Sequence, residues 1–138
     1  MIKNIFTGGL CILLLVSNAY AATSPAGAEI SILEPQDGAV VSGPVTVRFG
    51  VKGMDIAPAG EVKDNSGHFH LLIDTDELPA AEQPIPKDEH HMHFGKGQTE
   101  ATLTLAPGEH TLQLELGDGA HVPHTPPVIS KRIKITVK

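Results

Sequence analysis

Apolar and polar residues alternate along much of this chain. Val45, Val47, Phe49 and Val51 fall on one side of an extended segment, with Thr46 and Arg48 on the other, the period-two pattern of a half-buried strand. Glu29 to Leu33 reads the same way, with Ile30 and Ile32 inward, and Pro35-Gln36-Asp37-Gly38 supplies a turn. Gly67 to Asp74 puts Phe69, Leu71 and Ile73 on one face. Ala101, Leu103 and Leu105 alternate with Thr102 and Thr104, Pro107-Gly108 turns the chain, and Leu112, Leu114 and Leu116 return. That pattern predicts a hairpin. The last strand is expected over 128–137, with Ile133, Ile135 and Val137 inward.

No segment keeps a helical period for long. A short helix near Glu77 to Glu82 is the one candidate, inside a Pro-rich, acidic connection over 75–89. That connection is long for a compact domain, and such connections are often functional. About seven strands joined by Gly/Pro turns predict an all-β fold, an immunoglobulin- or fibronectin-like antiparallel β-sandwich. The expected organisation is a signal peptide over 1–21, a mobile lead-in over 22–28 and one sandwich domain over 29–138.

The beginning of the chain carries the export reading. Lys3 supplies a positive start, Leu10 to Val16 an apolar run, and Asn18-Ala19-Tyr20-Ala21-Ala22 the small-x-small pattern of a cleavage site. The run falls short of the roughly 20 apolar residues of a spanning helix. Cleavage after Ala21 and a periplasmic or secreted protein, not inserted in a membrane, are therefore expected. Cys11 is the only cysteine and lies inside this leader, preceded by Gly8-Gly9-Leu10 in the wrong order for a lipoprotein site. The exported chain would have no disulfide, no thiolate zinc site and no cysteine nucleophile. Its charge would be −7, against −6 for the whole chain. An acidic chain without a basic cluster argues against nucleic acid and anionic membranes as partners.

Histidine carries the candidate chemistry. All eight lie between His68 and His124. His68 and His70, and again His91 and His93, stand two apart in extended segments, so each pair shares a face, about 7 Å apart along the backbone. The faces opposite hold Phe69 and Leu71, and Met92 and Phe94, and are expected in the core. Two such pairs brought side by side, with His121 and His124 from a Pro-rich loop, make a set of imidazoles suited to a transition-metal ion. His68, His70, His91, His93, His121 and His124 are the candidate ligands. Copper is the first choice on affinity order, and zinc the alternative.

The remaining candidates have plainer readings. His90 sits beside Asp88 and Glu89 and is expected exposed. Met92 is expected to fill core rather than bind Cu(I). His110 follows Pro107-Gly108 at a corner where sandwich domains keep a Tyr bonded back to the main chain, and an imidazole can do that work. Asp74 and Asp118 end strands, where they either orient imidazoles or start Asx turns. Gly95-Lys96-Gly97 is a tight turn or, less expectedly, an anion nest.

The chain resembles a family of small exported bacterial proteins known as domain of unknown function 4399. The resemblance rests on Ser66-Gly67-His68-Phe69-His70-Leu71-Leu72-Ile73-Asp74, on 91–100 from His91-Met92-His93 to Glu100, on Pro107-Gly108-Glu109-His110-Thr111-Leu112-Gln113-Leu114, and on Gly117-Asp118 with His121-Val122-Pro123-His124. It runs from about Glu29 to the C-terminus. Phe69 stands at a place where the family pattern has a second His or an aromatic residue. The resemblance implies an exported, immunoglobulin-like β domain and no particular activity.

Three functions fit these residues. The first is periplasmic metal binding, with a metal ion and then another periplasmic protein as partners. The second is a non-metal binding or structural module of the envelope. The third is a small copper redox enzyme, since His-x-His on a sandwich strand is similar to the copper arrangement of copper–zinc superoxide dismutase. That enzyme's disulfide is impossible here and its zinc-site Asp has no clear counterpart. No Ser-His-Asp order or paired-carboxylate motif stands out, so an enzyme is the less favoured reading.

Overall fold

The computed structural model describes residues 20–138. Most of the expected leader, 1–21, therefore lies outside the described residues. Nine strands follow in order: β1 (Glu29–Glu34), β2 (Val40–Val41), β3 (Val45–Lys52), β4 (Asp55–Ile56), β5 (Ser66–Ile73), β6 (His91–His93), β7 (Glu100–Leu103), β8 (Gly108–Gly117) and β9 (Ile133–Val137). Among the described residues there is no helix, and so none long and apolar enough to cross a membrane.

The strands form two sheets, consistent with a sandwich. One has three strands in the order β1-β3-β7, all antiparallel. The other has six, in the order β2-β9-β8-β5-β4, with β6 also beside β5. The pairing is not wholly antiparallel: β2 runs parallel to β9 and β4 parallel to β5, two residues each. Along one edge of β5, β4 covers Ser66 and Gly67 while β6 covers His70 to Leu72.

The alternation predicts the core well. Ile30, Val45, Val47 and Phe49 from one sheet meet Phe69, Leu71, Leu112, Leu114, Leu116 and Ile135 from the other in one apolar cluster. Phe49 lies between the rings of Phe69 and Phe94, 5.0 and 5.1 Å away. Burying each such side chain stabilises by roughly 1.5–3 kcal/mol, which lets the domain fold without a covalent staple.

Two expectations are corrected. The predicted hairpin across Pro107-Gly108 does not form. β7 pairs with β3 in one sheet and β8 with β5 and β9 in the other, so the chain crosses between sheets at 104–107. Both strands carry an apolar face, and turning those faces toward each other across the core buries more surface than laying the strands edge to edge. The predicted helix near Glu77 to Glu82 is irregular chain. Pro79, Pro84 and Pro86 punctuate this stretch, withholding donors and restricting the residue before each, and Glu82 takes a left-handed conformation, φ 61°.

β5 is buried on both faces along all eight residues. Phe69, Leu71 and Ile73 face the sandwich core, as expected. His68, His70 and Leu72 face away from it, yet they too are shielded. The 84–87 segment borders His70 and the 118–124 loop brings His121 against His68, the two joined where Ile85 N–H donates to the His121 carbonyl at 2.8 Å. The 22–24 segment is tied to that loop: Thr125 N–H donates to Ala22 O, and Ser24 N–H to Thr125 O.

Candidate metal centre

β5 supplies the first two imidazoles. His68 and His70 lean together until their Nε2 atoms are 3.0 Å apart. His93 enters from β6, directly opposite His70 in the antiparallel register, its ring centre 5.1 Å from that of His70 and 5.0 Å from that of His68. His121 comes from the loop after β8, with Nδ1 3.0 Å from His68 Nε2. One ring nitrogen of each residue lies within 4.8 Å of the others, so the four can hold a metal ion.

His121 is placed by an aspartate clamp. Its backbone is left-handed, φ 66°, a conformation that costs an ordinary residue on the order of 1 kcal/mol or more. Asp118 over-determines it. The Asp118 carboxylate accepts from Ala120 N–H at 2.8 Å, Val122 N–H at 3.0 Å and Ala22 N–H at 3.2 Å, and its carbonyl accepts from His121 N–H. Of the two roles weighed for Asp118, the turn is the one observed.

Hydrogen bonding alone does not satisfy this cluster. His68 Nε2 faces both His70 Nε2 and His121 Nδ1 at 3.0 Å. A neutral imidazole nitrogen has either one N–H or one lone pair, so it makes one full hydrogen bond or shares it, weakened, between the two neighbours. His93 Nε2, His68 Nδ1 and His70 Nδ1 are buried without partners as well. A cation accepting a lone pair from each ring removes the conflict at the convergent nitrogens. Around a four-coordinate ion with metal–nitrogen bonds of about 2.0–2.1 Å, neighbouring nitrogens stand roughly 2.9 Å apart when coplanar, with a face left open, and roughly 3.3–3.4 Å apart when tetrahedral; two pairs here stand 3.0 Å apart.

The lone pairs are available. Burial, followed by the proximity of His93 and His121, pushes His68 down to about 4. Burial, then His68, His93 and His121, pushes His70 down to about 3. His93 is lowered too, by burial, His121 and Lys87. At neutral pH these three are uncharged, the state a metal requires.

Three glycines make room for imidazole rings. A Cβ at Gly117 would meet His70 Nε2 at 2.8 Å, and one at Gly67 would meet the Gly117 carbonyl and His124 Cε1 at 2.8 Å. At Gly95 a Cβ would collide with His93 Cε1. Nothing in the alternation exposed these contacts. Glycine inside or beside a strand is the available signal, since it marks close approach. Glu115 was also missed. It pairs with His70 across β5 and β8, is 1 % exposed, has a carboxylate oxygen without a partner, and burial pushes it up to about 7.

The six sequence candidates divide. His68, His70, His93 and His121 converge; His91 and His124 do not. His91 Nδ1–H donates to Asp88 at 2.8 Å instead of joining His93, because the tight turn over 88–91 brings that carboxylate within reach. His124 is buried against main chain, its Nε2 2.9 Å from the Ser66 carbonyl. His90 Nδ1–H donates to the Ile73 carbonyl. Met92 packs on the core. His110 bonds back to the main chain: Nε2–H donates to Ala106 O and Nδ1–H to Asp74, both at 2.7 Å. Asp74 therefore orients an imidazole, though one remote from the cluster.

The four convergent imidazoles all fall within a stretch, residues 47–138, that matches the family described as a domain of unknown function (DUF4399). The chain belongs to this family. The match begins at residue 47, later than the Glu29 expected from the motifs. No curated protein matches the chain.

Proposed function

We propose that this DUF4399 protein binds one transition-metal ion through His68, His70, His93 and His121, with copper the first choice and zinc the second. The observation that carries the reading is the convergence of four ring nitrogens within 4.8 Å of one another, in a setting that leaves His93 Nε2 buried without a hydrogen-bond partner. Nitrogen ligands of this kind suit Cu(II) and Zn(II), and affinity order favours copper. The leader pattern over 1–21 and the thiol-free remainder support a periplasmic or secreted setting, and the two facing sheets support an immunoglobulin-like assignment. Capture or handling of the ion, with a second envelope protein as donor or acceptor, is the role that fits.

A structural module without metal is favoured by one observation: His110 and His124 do pin main chain. That use of histidine does not extend to the cluster, whose nitrogens face one another. Titration of the metal-free protein with Cu(II) and with Zn(II), followed by calorimetry, separates the readings. One equivalent should bind, and His70→Ala combined with His93→Ala should abolish uptake. Unchanged uptake in the double variant would remove the proposed site.

A further inference from the structure

Protein closes behind the His cluster but not in front of it. A cavity of about 280 Å³ opens against His70, His93 and His121, and its remaining lining is Pro84, Ile85 and Lys87. A water molecule occupies about 30 Å³ of liquid, so the space exceeds what a bare cation needs and holds a ligand of several atoms as well. His68 does not line it and forms the floor behind.

The charge balance says what kind of ligand this is. Four neutral imidazoles bring no negative charge, so a divalent ion held by them keeps its full charge beside two almost fully buried side chains, His68 and His70. An uncompensated buried charge is costly. The carboxylates nearest the cluster do not compensate it from the cavity side: Asp118 spends its oxygens on three backbone N–H groups, and Glu115, beside His70 on the same face of the sheet, is fully buried. Neither lines the cavity. The one charged side chain in the wall is Lys87, and its charge reaches His93. Metal and ammonium together make this mouth positive in a protein whose overall charge is negative.

Building on the metal reading, we propose that the cavity bounded by Pro84, Ile85 and Lys87 is a subsite for a small monovalent anion, which binds the metal on the face left open by the four histidines. The anion donates a lone pair to the ion while Lys87 balances its charge, and the apolar walls of Pro84 and Ile85 limit it to a few heavy atoms. No bond in the anion is broken. The long connection over 75–89 thereby acquires a task, since it supplies every wall residue that is not a histidine.

Azide is a suitable probe. The full protein is loaded with one equivalent of Cu(II) in chloride-free buffer, and nitrogen hyperfine structure in the electron paramagnetic resonance spectrum establishes loading before azide is added. Azide should then produce a saturable charge-transfer absorption with one-to-one stoichiometry. Lys87→Ala at matched copper content should weaken azide binding about tenfold, as expected for losing one nearby unit charge, and Lys87→Arg should largely retain it. Copper-loaded protein whose spectrum ignores azide, or equal azide affinity in Lys87→Ala, would overturn the subsite while leaving the metal site standing. Failure to load copper, visible at the first step, would overturn the copper reading and this inference with it.

Discussion

His110 and Glu115 are both titratable and both partly or fully enclosed, and their environments favour the protonated form for different reasons, a charge partner for His110 and burial for Glu115. His110 donates from both ring nitrogens, to Asp74 and to Ala106, which only the doubly protonated ring can do. The Asp74 carboxylate and then the Ala106 carbonyl raise it above the ordinary histidine range. Its stabilisation is therefore complete below the unfolded value and fades as pH climbs through the raised folded one. His110→Ala should cost roughly 1.5–3 kcal/mol at pH 5, as for hydrogen bonds to charged groups, and less at pH 9, measured by urea unfolding at the two pH values. Equal costs would show that the charge is not involved. Glu115 is raised to about 7 from 4.5 by burial. Between those values the folded protein keeps a proton that the unfolded chain has released, so stability falls as pH rises through the window. Glu115→Gln should thus stabilise the metal-free protein by roughly 2–3 kcal/mol at pH 8 and change little at pH 4. No pH dependence in that difference would contradict the burial account. At this scale, the pairing of His68 with His70 was legible from spacing alone. The choice of His121 over His124 was not, because it turns on a left-handed residue set by Asp118 rather than on any sequence interval.

β5 explains why the elements could be read while their covering could not. Alternation gives the direction of every residue in β3, β5 and β8, and Phe69, Leu71 and Ile73 point inward as predicted. Alternation does not say whether the opposite face meets water. Here it meets the 84–87 and 118–124 segments, so His68 and His70 are as buried as their apolar neighbours. β6 shows the converse limit. Its two histidines share a face, yet only His93 reaches the cluster, since Asp88 claims His91. The missed crossover between β7 and β8 has the same origin: a turn signal marks a change of direction, and long-range burial decides which sheet receives the next strand. The glycine at the end of β8 is a test at this scale. Gly117→Ala places a methyl 2.8 Å from His70 Nε2, with backbone behind it, so the ring must move. Metal affinity should fall by about 10–100-fold, the range seen when support around a ligand is disturbed, with the far-UV circular dichroism of the sheets retained. Affinity within twofold of the unaltered protein would show that His70 is not held there.

The whole molecule is a two-sheet frame whose apolar centre leaves one outer face free for a polar cluster. A chain of this size buries enough apolar surface to stand alone, and such a frame tolerates neutral, poorly satisfied imidazoles because the core carries the stability. The family membership is consistent with the frame and leaves the activity to be argued from the site. The central claim, that the four histidines share one ion, is tested most directly by X-ray absorption at the metal edge of protein loaded with one equivalent of copper. The predicted spectrum has a shell of four imidazole nitrogens at about 2.0 Å, reduced by one in the His93→Ala single variant. A shell of oxygen atoms, or one identical in the variant, would contradict the account.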